Sequence, residues 1–207
     1  MKKILTVYLA VGVFVLNATA QTKSDNLVKF GVSGGINISN FAISPSQSPK
    51  PNSLTGLNAG AFVVVPLSNS FSFQPELLFS GLGAKQSSTN MGISYTDKVL
   101  LNYIDVPALV KYSISNTGVA VYAGPQIGFL LSAKDNLNGN STDIKSSFTS
   151  ADFDGVLGLG YALPVGLSVS ARYQLGLTAI NKNSSASGEK IKNTAFSITI
   201  SYTFGKK

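Results

Sequence analysis

The chain has 207 residues, of which 12% are charged and 44% are hydrophobic, and its formal net charge is +7 at pH 7. It contains neither cysteine nor histidine, which excludes disulfides, thiolate metal sites and histidine-based catalysis. The basic residues are scattered along the chain, whereas a nucleic-acid-binding protein clusters them on one face.

The N-terminus has the three parts of a secretory signal peptide. Two lysines precede an apolar run from Ile4 to Leu16, and Ala18-Thr19-Ala20 supplies the small residues of a cleavage site. The run is shorter than the roughly 20 apolar residues that a membrane helix needs. We therefore predict a signal peptide at 1–20 and a single mature domain at 21–207, which carries 14 basic and 9 acidic residues.

The mature chain consists of segments that alternate between apolar and polar residues and are separated by turn residues. Alternation over about ten residues is typical of the strands of a transmembrane barrel. The predicted fold is all-β, an eight-stranded antiparallel up-and-down transmembrane β-barrel. The predicted strands are Val28 to Phe41, Leu54 to Leu67, Phe71 to Gly83, Val99 to Tyr112, Gly118 to Leu131, Asp152 to Leu163, Leu167 to Ile180, and a last strand through Phe196 to Phe204.

The fourth strand shows the two faces most clearly. Ile104, Val106 and Val110 lie on one face, and Asp105 and Lys111 lie on the other. In a membrane barrel the apolar face meets lipid and the charges point into the lumen. A soluble lipocalin-like barrel would reverse the two faces. Throughout the chain the apolar face is bulky and the polar face is mostly Gly, Ser, Thr and Asn, which favours a narrow lumen.

Glycine and proline occur inside several predicted strands. Glycine lets a tight barrel wall curve and makes room for lumen side chains. Gly124-Pro125 predicts a kink or bulge in the fifth strand, because proline donates no hydrogen bond to the ladder.

The predicted connections alternate in length. Ser68 to Ser70, Ile114 to Thr117 and Pro164 to Gly166 are short. The long connections are Ala42 to Ser53, Ala84 to Lys98, Ser132 to Ala151 and Asn181 to Asn193. Outer-membrane barrels keep short turns in the periplasm and long loops outside, so we expect both termini to be periplasmic.

The main candidate site consists of charged residues that the alternation places on the lumen face of their strands: Glu76, Asp105, Lys111 and Arg172. Buried charges need partners, so we interpret the four as a structural charge network that fills the lumen. A proton or ion path, or a carboxylate pair for hydrolysis, is the functional alternative. No serine has a histidine to activate it, although Ser-Lys or aspartate-based catalysis stays formally open. We expect no enzymatic activity, no catalytic residue, no metal and no cofactor.

Three internal motifs and the last strand resemble one family. The motifs Phe73-Gln-Pro-Glu-Leu-Leu-Phe, Tyr103-Ile-Asp-Val-Pro-Ala-Leu-Val-Lys-Tyr and Tyr122-Ala-Gly-Pro-Gln-Ile-Gly-Phe-Leu-Leu are similar to consecutive strands of the PorT-like outer-membrane β-barrel family. The final Ser-Tyr-Thr-Phe resembles the terminal signal that the outer-membrane assembly machinery recognises, although Gly205, Lys206 and Lys207 follow it. The resemblance implies the outer membrane of a Gram-negative bacterium, and the founding member of the family is associated with protein secretion.

Two classes of function follow. In the first, the barrel has a structural or surface-interaction role, with a link to protein secretion and an unidentified protein partner. In the second, it is a small pore or transporter, although eight strands leave little open bore. The expected partners include outer-membrane lipids and no nucleic acid. The long loops carry eight lysines against four acidic residues, for which lipopolysaccharide phosphates are a natural counter-charge. The alternative is that these lysines only keep the loops soluble.

Overall fold

The computed structural model of the protein describes residues 27–45, 50–90, 93–137, 139–182 and 188–205, with the backbone alone at 87–90 and 93–95. The signal peptide predicted at 1–20 lies outside these residues.

The described chain forms one antiparallel sheet that closes on itself. Its strands are β1 (Lys29–Ser44), β2 (Asn52–Pro66), β3 (Phe71–Asn90), β4 (Ile93–Ser113), β5 (Val119–Leu137), β6 (Asn140–Asp143), β7 (Ala151–Ala162), β8 (Leu167–Gly176) and β9 (Lys190–Thr203). Pairing of β4 with β5 and of β1 with β9 closes a ring of eight, while the short β6 pairs with the end of β5. The predicted eight-stranded antiparallel barrel is confirmed.

The outer surface of the ring is apolar. Successive side chains of a strand point to opposite faces, so the predicted alternation sends one apolar side chain in two outward. Leu157, near the middle of β7, is 61% exposed. Exposed aromatic side chains form two girdles above and below it, as in membrane barrels. One girdle contains Phe30, Phe71, Tyr112, Tyr161 and Tyr202, and the other contains Phe79, Phe129, Phe153, Tyr173 and Phe196.

The two ends of the barrel differ in their connections. At one end, β2–β3, β4–β5 and β7–β8 are joined by short turns, and we call this the short-turn end. The described chain also begins and ends there, where Phe204 N donates to Phe30 O at 2.8 Å. We call the opposite end the long-loop end.

The predicted loop from Ala84 to Lys98 is wrong, because most of it is sheet. The β3–β4 ladder runs from Phe71 paired with Tyr112 to Asn90 paired with Ile93. The β4–β5 ladder continues as far as Asp97 paired with Leu137. Beyond the apolar band both faces of a strand can be polar, so this part of the ladder has no alternation to reveal it. We call the described residues 84–90, 93–99, 133–137 and 139–143, at the long-loop end, the strand extension.

A kink or bulge was predicted at Gly124-Pro125, and the bulge is wrong. Pairing of β5 with β7 keeps one register from Val119 to Phe129. On the other side, no Cα partners are assigned between Pro107/Gln126 and Val110/Ala123, but the register is the same on both sides of the gap. Pro107 and Pro125 have no N–H group to donate, so they interrupt the hydrogen bonds of the ladder without shifting its register. The register shifts elsewhere, between Asn102 and Tyr103.

Segments after β6 and β8 lie together at the long-loop end. The predicted seventh strand stops at Gly176 instead of Ile180, because the chain there turns to meet the short 3₁₀ helix Lys145–Ser147. Thr149 N donates to Ile180 O at 2.7 Å, and Lys182 N donates to Ser147 O at 3.0 Å. Among the residues that the structure describes, no helix is long and apolar enough to cross a membrane.

Candidate functional site

The lumen is filled by side chains that form three layers. The basic layer, toward the short-turn end, contains Gln74, Glu76, Lys111, Tyr122 and Arg172. The acidic layer comes next and contains Asp105, Asp152 and Asp154. The apolar layer, toward the long-loop end, contains Leu82, Leu101, Tyr103, Leu130, Ala133, Phe148, Ile180 and Ala195.

The basic layer joins opposite walls of the barrel. Arg172 Nη1 on β8 donates to Glu76 Oε2 on β3 at 2.7 Å, and the two side chains are 11% and 1% exposed. Gln74 Nε2 donates to the other carboxylate oxygen of Glu76 at 2.7 Å. Two cations contact the Tyr122 ring: Arg172 Cζ is 4.9 Å and Lys111 Nζ is 5.5 Å from its centroid. Arg172 on β8 therefore bonds Glu76 on β3, and the Tyr122 ring on β5 makes cation–π contacts with side chains of β4 and β8.

Two glycines of β7 make room for this layer. A Cβ on Gly158 would lie 2.7 Å from Arg172 Cγ, and one on Gly160 would lie 2.7 Å from Tyr122 Cε2. Gly158 pairs with Tyr122 on one side and with Arg172 on the other. The prediction that strand glycines accommodate lumen side chains is confirmed at these positions.

An amide and hydroxyl network covers the wall opposite the acidic residues. Asn58 Nδ2 donates to Asn37 Oδ1 at 2.7 Å, and Ser197 Oγ donates to the same oxygen at 2.8 Å. Thr199 Oγ1 reaches Asn58 Oδ1 at 3.4 Å. These contacts tie β1, β2 and β9 together from the inside.

The hydrogen bonds to the carboxylates of Asp152 and Asp154 in the acidic layer come from neutral donors, and Asp154 Oδ1 is buried without a partner among the described residues. Gln126 Nε2 and Gln174 Nε2 donate to Asp154 Oδ2 at 3.2 and 2.9 Å. Asn193 Nδ2 donates to Asp152 Oδ2 at 2.7 Å, and Thr178 Oγ1 donates to its Oδ1 at 3.1 Å. In the described parts of the chain, none of the three carboxylates forms an ion pair. Burying such charges is costly unless something neutralises them.

The apolar layer closes the lumen toward the long loops. Leu101, Ala133 and Ile180 are fully buried, and Phe148 reaches the layer from the segment after β6. Tyr103 couples this layer to the acidic one, because its hydroxyl accepts a hydrogen bond from Asn193 Nδ2 at 3.2 Å. The interior at this end therefore resembles a small hydrophobic core.

Between the described side chains, the lumen contains an inner and an outer cavity. The inner one, between the amide network and Asp105, has a volume of about 30 Å³, which is room for one or two water molecules. The outer one has a volume of about 400 Å³ and lies at the short-turn end. We call it the vestibule; its lining includes Lys111, Ser113, Tyr122, Gly160 and Ser168.

The structure divides the four predicted site residues between two layers. Glu76 and Arg172 form an ion pair, and Lys111 shares the Tyr122 ring with Arg172. Asp105 lies in the acidic layer, within electrostatic range of Asp152. Sequence reasoning missed Asp152 as a lumen residue, although it has the same parity as Asp154.

Sequence reasoning also missed the apolar layer. Its signal was present where two consecutive apolar residues occupy both faces of a strand, as at Leu100-Leu101 and Leu130-Leu131. One member of each pair points outward and the other, Leu101 or Leu130, points into the lumen. Alternation alone cannot report such a position, because both faces are apolar.

The lumen offers little for catalysis or metal binding. In the described ranges, no group of three or more Asp and Glu side chains is arranged to hold a metal ion. The carboxylates are bonded to amides and hydroxyls, and the cavity beside Asp105 is too small for an organic substrate. What the geometry provides is cross-bracing of the wall and a basic vestibule at one end.

Comparison with known proteins shows what this arrangement belongs to. Neisserial surface protein A is 15% identical, and the match covers 84% of this chain and 97% of that one with a TM-score of 0.52, which shows a shared fold. The attachment invasion locus protein Ail of Yersinia pestis is 16% identical over 85% of this chain and 98% of its own, with a TM-score of 0.49. OprG from Pseudomonas aeruginosa is 12% identical over 86% and 97%, with a TM-score of 0.43.

No curated protein sequence matches the chain. A family model, however, matches residues 19–182, most of the chain, and it describes an outer membrane protein beta-barrel domain. The apolar outer face and the aromatic girdles agree with that location, since such a barrel sits in the lipid membrane. The chain therefore belongs to the outer membrane protein beta-barrel domain family.

Proposed function

We propose that the protein is a structural and surface-interaction barrel of the outer membrane, without enzymatic activity. The observation that carries this proposal is the filled lumen. Three layers of side chains cross the bore, and the space left beside Asp105 is about 30 Å³. Side chains can fill the interior of an eight-stranded barrel completely, whereas water-filled porins use about 16 to 18 strands.

The strand extension supplies the surface for such a role. The β3–β4 ladder continues from Ala84 paired with Val99 to Asn90 paired with Ile93. At about 3.4 Å per residue, these seven pairs add roughly 20 Å of ladder. We propose that the long-loop end faces the cell exterior and that both termini face the periplasm. The extension would then project from a Gram-negative cell surface toward a partner.

The finer assignment to the PorT-like family is part of the proposal. It is supported by the three strand motifs, whose prolines Pro75, Pro107 and Pro125 lie on adjacent strands β3, β4 and β5 of the ring. A role linked to protein secretion, with the outer-membrane assembly machinery as the folding partner, rests on the same resemblance. The protein partner itself is defined only by the surface that it would meet.

A small pore is the second candidate function. The vestibule favours it, because about 400 Å³ of the lumen is accessible from the short-turn end. The apolar layer opposes it, because the fully buried Leu101, Ala133 and Ile180 place apolar side chains in the lumen toward the long loops. Water and ions avoid such a constriction. A pore would therefore require this layer to move.

Lipopolysaccharide is the surface ligand that the loop charges support. Lys182 and Lys190 are exposed at the long-loop end, and Lys192 is half-buried beside them on β9. Lysines at a hydrated surface attract phosphate over about one Debye length, roughly 8 Å at physiological salt. We propose that these three residues contact the phosphates of the outer leaflet.

The test compares two triple variants of the barrel refolded in phosphate-free detergent. Replacing Lys182, Lys190 and Lys192 with Gln should weaken binding to lipopolysaccharide and reduce its salt dependence. Replacing the same residues with Arg keeps the charge and should preserve both. Equal affinity and equal salt slope for the Gln and Arg variants would contradict the proposed contact.

A further inference from the structure

We propose that the vestibule is a binding site for a small oxyanion of the phosphate or carboxylate type, held by the ammonium group of Lys111. The site lies at the end of the lumen opposite the strand extension. It is independent of lipopolysaccharide binding at the long loops. Its ligand would come from the periplasm if the short-turn end faces that compartment.

The vestibule has the size and shape of a ligand site. Its volume of about 400 Å³ lies within the range of about 300 to 1,000 Å³ that small-molecule pockets occupy. Its lining includes Tyr122 and comes from β4, β5, β7, β8, the turn between β4 and β5, and Asn69 of the turn between β2 and β3. The apolar layer fills the lumen toward the long-loop end, so the vestibule opens at the short-turn side.

The charge of this region is positive. Among the vestibule residues that the structure describes, Lys111 is the one that carries a charge. Beneath it, Arg172 adds a second positive charge, and its partner Glu76 neutralises only one of the two. Lys29, half-buried at the start of β1, has the same lumen parity and lies at the same end. The acidic layer lies deeper in the lumen.

Donors in this region lack partners. Lys111 makes a cation–π contact with Tyr122, but no hydrogen bond or ion pair to its ammonium group is found within the described residues. Deeper in the lumen, outside the vestibule lining, Arg172 Nε and Ser170 Oγ are buried and also lack a partner among the described residues. Lys111 and Arg172 approach the same ring and repel each other, which a bound anion would relieve. The hydroxyl groups of Ser113 and Ser168 line the same space.

These features fit an oxyanion better than other ligands. An ammonium group is a compact point charge with three donors, and lysine is a common phosphate ligand. Serine hydroxyls can donate to the remaining oxygens. A cation would be repelled by Lys111 and Arg172, and an apolar molecule would leave the donors unpaired.

The experiment titrates the barrel, refolded in lauryldimethylamine oxide micelles, with sodium phosphate or sodium acetate. Sodium chloride keeps the ionic strength constant. Amide chemical shifts of Ser113, Ala120 and Gly160 report on the vestibule. We expect chemical-shift changes that saturate with phosphate, with acetate, or with both. The anion that gives saturation shows whether the site takes phosphates, carboxylates or both. Shifts that do not saturate with either anion would overturn the proposal.

Variants then test the role of Lys111. Lys111→Met should weaken binding at least about tenfold, because it removes a charge-assisted hydrogen bond. Lys111→Arg should retain saturation, and so should the control Lys98→Met, which removes an exposed lysine at the long-loop end. Unchanged affinity in Lys111→Met would overturn the assignment. A mobility shift on boiling checks that each variant is folded, and if Lys111→Met does not fold, the wild-type titration decides.

Discussion

Arg172 contacts two strands across the lumen from its own position on β8. Its Nη1 donates to Glu76 on β3 at 2.7 Å, and its guanidinium lies 4.9 Å from the Tyr122 ring on β5. The ion pair is nearly enclosed, with side-chain exposures of 11% and 1%. Removing one partner of a buried pair costs about 3 to 5 kcal/mol, because the other charge stays buried. Removing both partners is often much less costly.

This asymmetry gives a double-mutant prediction for the pair. We expect Glu76→Gln and Arg172→Met each to lower the free energy of unfolding by about 3 to 5 kcal/mol. The double variant should lose less than either single variant, since a glutamine at position 76 can still accept the hydrogen bond from Gln74. Urea unfolding in lipid vesicles, followed by the folded fraction on unboiled gels, measures all three. If the double variant loses as much free energy of unfolding as the two single variants together, the two residues are not coupled.

The sequence predicted which residues point into the lumen, but it did not predict which side chains they contact there. Alternation assigned Glu76, Asp105, Lys111 and Arg172 to the polar face, and the structure places all four inward. Which charges meet depends on the stagger between strands, which a period of two does not contain. Asp105 therefore lies among carboxylates, while Lys111 lies beside Tyr122.

The strand extension shows the same limit for whole elements. Inside the apolar band, most strand ends were predicted to within a few residues. Lipid on one face and the lumen on the other enforce alternation there. Beyond the band, the strands lose the pattern of alternation. There the ladder depends on backbone pairing, as between Asp97 and Leu137.

Two carboxyls meet in this extension. A hydrogen bond with Asp135 on β5, together with burial and the charge of Asp135, raises the pKa of Asp97 on β4 to about 6. The Oδ1 atoms of both residues lack another donor among the described residues. A proton on one carboxyl supplies that donor. The paired ladder therefore binds a proton more tightly than the open one.

The sign of the pH effect follows from that shift. The stabilisation is fully present below the ordinary Asp pKa of 3.8 and is lost as the pH rises through about 6. We expect amide hydrogen exchange at Lys98 and Asn136, corrected for intrinsic rates, to reveal more opening at pH 7.5 than at pH 5. Asp97→Asn should remove most of this difference. The same pH dependence in wild type and variant would show that the pair is not its cause.

At the scale of the whole molecule, the lumen has different contents at its two ends. The short-turn end holds the basic vestibule of about 400 Å³, and the long-loop end holds the apolar layer around Leu101 and Ile180. The sequence predicted the ring and its apolar exterior. It did not predict the closed end, because Phe148 and Ile180 reach the lumen from segments that the pattern assigned to a loop and to the end of a strand.

Closure of the bore is the central claim about this barrel, and ion conductance in planar bilayers tests it most directly. The purified, heat-modifiable barrel should insert without a steady current at any moderate voltage, under conditions in which a wide porin conducts. The apolar layer accounts for this result, because ions do not pass a dry constriction. A stable unitary conductance from the folded protein would contradict the closed lumen and favour the pore.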